Sequence, residues 1–182
     1  MQYPICFFVP GQPATAGSKN PMQSRRTGKL YTVDSCKTKA SWMLRVAAHA
    51  RQCYQGNPIT GPVELRMDFF MRRPLDHYCV VKGERVLREN APYWHTCRPD
   101  RTKLLRCAED ALVGICWKDD SQVVTGLITK RWANQPGVLI RVRQVDSHES
   151  NDPLINDLLR CAPDAIRKTV KTRPIGHDKD MF

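Results

Sequence analysis

The chain has 182 residues, 41% of them hydrophobic, which is enough for one domain to bury a core and excludes an intrinsically disordered protein. Twenty-nine Lys and Arg against eighteen Asp and Glu leave a net charge of +11, a surplus that implies a polyanionic partner, nucleic acid above all. No apolar run approaches the ~20 residues of a membrane span, and "MQYPICFFVPGQP" lacks the basic start of a signal peptide, so the cytosol is the expected setting.

Residues 3–9 are predicted as a short apolar strand, stopped by Pro10–Gly11. Residues 12–34 are rich in Pro, Gly, Ser and Thr and carry Lys19, Arg25, Arg26 and Lys29. They read as a long basic loop, either an arm along DNA phosphates or a solvated connection. Ser35 is the expected cap of a helix over residues 36–55, with Trp42, Val46, His49 and Cys53 on one face and Gly56 and Pro58 ending it. Residues 62–72 alternate, Val63, Leu65, Met67 and Phe69 against Glu64, Arg66 and Asp68, as in a half-buried strand. Within residues 73–98, "YCVVKGERVL" reads as a hairpin turning at Lys82–Gly83.

The clearest helix covers residues 102–114. Leu104, Ala108, Ala111 and Ile115 make its apolar stripe, Leu105 and Leu112 widen it, and Gly114 suits its carboxyl-terminal end. Asp100 then falls at the amino terminus, where a carboxylate suits the helix dipole. Two more strands follow over residues 122–131 and 137–145, joined through Asn134 and Pro136. Beyond Asp146 the chain turns polar, with a helix expected over residues 153–170 and a disordered end. The eight cysteines contain no Cys-x-x-Cys pair, so they read mostly as free packed thiols.

One stretch gathers carboxylates in this basic chain: "CRPDRTKLLRCAEDALVGICWKDDSQVV", residues 97–124. Magnesium prefers a few carboxylate oxygens, with water and phosphate completing its shell. Such a site activates water and neutralises charge in phosphodiester hydrolysis. Asp100 before the helix and Asp120 at the start of a strand would meet if helix and strand pack together. The competing reading is structural: Arg106 with Glu109 and Asp110 has the spacing of surface ion pairs, and Asp119–Asp120 suits a polar turn. Of the aromatic residues near this stretch, Trp117 is expected in the core. Tyr93 and Trp94 leave open a wedge at unpaired bases, and His95 is expected at the surface or hydrogen-bonded.

The segments "RPDRTKLLR", "EDALVG" and "WKDDSQVV" resemble, in order and spacing, the core motif of the RusA family of phage and prophage Holliday-junction endonucleases. The front, "FFVPGQPATAGSKNP", is similar to that family's opening strand and Gly-Ser-Lys loop, and the likeness covers residues 3 to about 145. It implies a small mixed α/β fold, with about four strands in a mixed sheet packed against two main helices. The expected organisation is a nuclease domain over residues 1–145 and a partly helical or disordered extension over residues 146–182.

The resemblance also implies a homodimer that cuts four-way DNA junctions with magnesium, or manganese in its place, in a bacterial host's cytoplasm. Carried over by position, Asp100 and Asp120 are the metal-binding and catalytic aspartates, with Asp119 a further ligand. Arg106 stands at the family's lysine and is carried over as the third catalytic residue, and Asp110 stands at a mid-helix aspartate read as structural. Arg98, Arg101, Lys103 and Lys118, with Lys19, Arg25, Arg26 and Lys29, are the expected DNA contacts. The sequence departs from the family at Thr102 and Lys103, where Asp then Asn is usual. Thr102 would cap the helix or coordinate weakly, and Lys103 would meet phosphate. Arg106 keeps a positive charge without a titratable proton. An inactive branched-DNA-binding relative is therefore the rival to the enzyme, and a basic RNA-binding protein a third reading.

Overall fold

In this computed structural model, residues 4–17, 19–34 and 36–145 are described. The helix expected over residues 153–170 lies outside them.

The core sheet is built from four strands in the spatial order β1 (Ile5–Pro10), β8 (Gly137–Gln144), β4 (Val63–Arg72) and β7 (Val123–Ala133). β8 is antiparallel to both β1 and β4, whereas β4 and β7 run parallel. A parallel pair needs a long crossover, here supplied by residues 73–122, which hold the second helix. The short link through Asn134–Pro136 carries the chain past β4, from β7 on one side to β8 on the other.

Alternation decides which residues enter the core. Ile5 and Val9, Leu65, Met67, Phe69 and Met71, and Val138, Ile140 and Val142 are all buried. Against them pack helix α1 (Lys39–Cys53), through Trp42, Val46 and Ala50, and helix α2 (Arg101–Leu112), through Leu104, Cys107, Ala108, Ala111 and Leu112. Trp117 is fully buried in the same cluster. This is the mixed α/β architecture expected, four strands against two helices.

Several local expectations are corrected. The long basic loop contains a hairpin, β2 (Lys19–Gln23) with β3 (Leu30–Asp34). Its turn is closed by Gly28 N donating to Ser24 O and Ser24 N to Lys29 O, each at 2.9 Å. Pro21 inside β2 concealed the strand, since proline is tolerated in a sheet only where no ladder donor is required. Helix α1 starts later than expected: Thr38, not Ser35, precedes it, and its side chain makes no capping bond. His49 and Cys53 lie off the buried face, which continues through Ala50 instead.

The hairpin at residues 78–87 forms as read, β5 (Tyr78–Val81) against β6 (Glu84–Leu87). Lys82 (φ 52°) and Gly83 (φ 85°) both take the left-handed conformation that a two-residue hairpin turn demands.

The outward row of β4 departs most from a solvent-facing polar set. Glu64 is only 1% exposed. Arg66 Nε lies 2.6 Å from its Oε1, and Arg143 Nε pairs with its Oε2. Asp68 accepts from Arg141 Nη1 at 3.2 Å and from the Thr129 hydroxyl. β4 is a central strand, so cations from β8 stand directly beside its carboxylates, Arg143 opposite Glu64. No helix among the described residues is long and apolar enough to cross a membrane.

Candidate active site

Asp100 is the residue immediately before α2, and its extended backbone (φ −68°, ψ 141°) starts the helix without its side chain closing the cap. The carboxylate therefore remains exposed at the positive end of the helix dipole. Lys103 Nζ lies 3.2 Å from its Oδ2. Thr15, Arg98, Pro99, Asp100 and Lys103 line an open cleft of about 510 Å³. The front segment is tied to it by Ala16 N donating to Lys103 O at 2.9 Å. Thr102 is exposed in the first turn of α2, so it is not the residue that caps the helix.

A further cation completes this end, one that the motif spacing does not single out. Lys130 on β7 donates through Nζ to Cys97 O at 2.7 Å and Pro99 O at 2.8 Å. Burial lowers its pKa from the ordinary lysine value, while the Asp100 charge opposes that shift. The signal was available: Lys130 sits in register with Phe69, on the parity of Ile128 and Trp132, where an apolar residue is expected.

The second acidic group forms at the other end of α2. Asp119 caps a short 3-10 turn, Asp120–Gln122, by accepting from Ser121 N at 2.9 Å. Hydrogen bonding from the Ser121 side chain, and then from its backbone N–H, holds the Asp119 pKa below the ordinary carboxylate value. Gln122 Oε1 accepts from Lys118 N and Asp119 N at 2.9 Å, and its Nε2 donates to Ile59 O and Gly61 O. The DDSQ sequence is thus a rigid corner that presents Asp120 to solvent, ahead of β7 rather than within it. Glu109 stands nearby, its pKa raised first by burial and then by the charges of Asp110 and Asp120. Its part in this acidic group was not foreseen, because helix spacing suggested an ion pair with Arg106.

Asp100 and Asp120 do not converge within the chain. α2 runs antiparallel to β7: Arg101 Nη1 reaches Ile128 O at 3.4 Å, while Leu105 and Glu109 border Val123–Gly126. The 12 residues of α2 span about 18 Å, with Asp100 at one end and the Glu109–Asp120 group toward the other. Among the described residues no group of three His, Cys, Asp or Glu side chains is placed to hold a metal ion. Within one chain Asp100 thus stands apart from the Glu109–Asp120 group.

Of the remaining expected contacts, Arg98, Arg101, Lys103, Arg106 and Lys118 are exposed along or beside α2. Asp110 pairs with Lys39 of α1 at 3.8 Å, not with Arg106, which agrees with its structural reading. Arg25, Arg26 and Lys29 are exposed at the turn of the β2–β3 hairpin, and Lys19 begins β2. His95 is buried rather than superficial, its ring centroid 4.0 Å from that of Trp132.

The family model of RusA endodeoxyribonuclease matches residues 10–143. The chain is also 33% identical over 144 residues to the uncharacterized protein YqaN of Bacillus subtilis (strain 168), covering 79% of this chain and 98% of that one. The matched span runs from the end of β1 to β8 and contains both acidic ends of α2. The chain belongs to the RusA endodeoxyribonuclease family.

Proposed function

We propose that the protein is a magnesium-dependent, structure-selective endodeoxyribonuclease that resolves four-way DNA junctions as a homodimer in a bacterial cytoplasm. The observation that carries this reading is the exposed Asp100 carboxylate at the amino terminus of α2, ringed by Arg98, Lys103 and Lys130. Those cations would bind the phosphates flanking the cut and stabilise the negative charge that grows in the transition state. Arg106, exposed farther along α2, would bind phosphate as a permanent cation.

A homodimer is supported by the separation of the carboxylates. A two-fold axis relating two α2 helices in antiparallel fashion would set Asp100 of one protomer beside Asp120 of the other, making two equivalent sites. Symmetric incision of a junction needs two. β7 is an edge strand with exposed Val124 and Leu127, which suits an interface with a second copy. Asp100 and Asp120 would then be the magnesium ligands, with Asp119 anchoring the turn and able to add an oxygen. The ion would activate water and neutralise developing charge.

The test is cleavage of a labelled synthetic four-way junction in magnesium and in manganese. Asp100→Asn and Asp120→Asn are each expected to abolish cutting, and mixing the two inactive proteins is expected to restore it at one site per dimer. Loss in both single variants without restoration would sink the shared site and leave sites within single chains. Junction binding without cutting by the native protein would favour the non-catalytic reading, which Thr102 at the family's aspartate position and the Asp100–Lys103 ion pair support.

A further inference from the structure

Tyr93 and Trp94 are 50% and 55% exposed, yet their backbone is held rigidly. Trp132 N donates to Tyr93 O at 3.0 Å, His95 N donates to Lys130 O at 3.2 Å, and Trp94 stands opposite Arg131 as an antiparallel bridge. These residues thus extend the sheet edge beyond β7. Beneath them His95 packs on Trp132, so the segment has an aromatic foundation.

The side chains are braced as well. Arg131 donates to the Tyr93 hydroxyl and lies over the Phe70 ring at 4.5 Å and the Tyr93 ring at 5.6 Å. Tyr93 in turn meets Trp94 edge to face, with ring centroids 4.8 Å apart and planes at 84°. Arg73 Nη1 holds Pro92 O at 2.9 Å. Tyr93 is committed to its neighbours, whereas more than half of Trp94 is open to solvent. An indole packed edge to face on Tyr93, with Arg131 as its bridge partner and against that tyrosine, offers a flat apolar face beside a positive charge.

We propose that Trp94 is a stacking platform for an unpaired base at the branch point of the DNA substrate, with Tyr93 and Arg131 holding it in position. The adjacent Arg131 charge selects the occupant. A hydrophobic protein partner gains nothing from a flanking cation, while a nucleotide presents an aromatic base and a phosphate together. Stacking on an aromatic side chain is tolerant of sequence and requires a base released from its pair, which a branch point supplies and a duplex does not. The six-residue path from Trp94 to Asp100 spans at most about 20 Å, the length of about six stacked nucleotides. Base and cleaved phosphate would therefore belong to one junction. The substrate named here rests on the nuclease reading above.

The test uses full-length protein and a four-way junction carrying 2-aminopurine either at the branch point or within an arm, titrated in EDTA so that binding is read apart from cutting. Native protein and Asp100→Asn are both expected to change the fluorescence of the branch-point probe and not that of the arm probe. In Trp94→Ala the branch-point signal is lost and the junction-to-duplex affinity ratio falls about tenfold or more. Trp94→Phe keeps most of both. A Trp94→Ala protein that matches the native signal and affinity ratio overturns the proposal while leaving the nuclease reading intact. A branch-point signal that depends on Trp94, in a native protein that never cuts, supports the platform and overturns the nuclease. Native protein that binds no junction overturns both.

Discussion

Glu64 illustrates how position in a sheet outweighs residue type. In sequence it belongs to the polar half of an alternating strand, yet it is buried between two arginines. Removing one member of such a buried group leaves unpaired charge behind. Glu64→Ala is therefore expected to cost about 3–5 kcal/mol in urea unfolding, and a change near zero would refute the argument. His95 carries a pH prediction. Burial, and then the Lys130 charge, lower its pKa from the ordinary value of 6.5. The unfolded chain then takes up the proton more readily, so His95 costs nothing above that value and destabilises the fold as pH falls below it. Between about pH 7.5 and about pH 5.5, the melting temperature of native protein should fall more than that of His95→Gln. Equal falls would show that His95 is not the group responsible.

At the scale of elements, α2 and its ends were the most legible part of the chain. The apolar stripe, Gly114 with φ 77° just past the end, and Asp100 just before the start all have local causes. The β2–β3 hairpin was hidden by Pro21. The bulge at the start of β7 was hidden too, since register exists only between strands. Val63 faces Val123 but Glu64 faces Thr125, so Val124 is extruded and β7 shifts by one residue. Downstream, a Cβ at Gly126 would stand 1.8 Å from the Leu65 carbonyl oxygen. The clash is with backbone, which rotamer changes cannot relieve. Gly126→Ala is expected to destabilise at least as much as ordinary overpacking, about 1–3 kcal/mol, and to part the β4–β7 pair. Fast amide exchange confined to these two strands would locate the damage there. Native-like exchange in Gly126→Ala would contradict it.

At the scale of the whole molecule, charge and carboxylates play different parts. The +11 surplus predicts junction binding that weakens steeply with salt. Replacing Arg25 and Arg26 together with Ala should lower the slope of log K against log salt by about 2 if both contact phosphate. An unchanged slope would make the hairpin turn a solvated one. The proposed shared site makes a separate demand, that activity depend on protein concentration as a dimer does. Cutting that is strictly first order far below the dimer's dissociation constant would count against it.

Several properties follow from the sequence alone because their causes are local. Composition sets the electrostatic partner, periodicity sets the strands and helices, and the spacing of RPD, EDAL and WKDDSQV carries the family resemblance. The tertiary structure decided what depends on neighbours remote in the chain: the burial of Glu64, the placement of Lys130 beside Asp100, and the rigid seat of Trp94. It also decided that Asp100 and Asp120 stand at opposite ends of α2, because the helix runs antiparallel to β7. A linear motif lists its carboxylates in order but carries no information on which of them share a point in space.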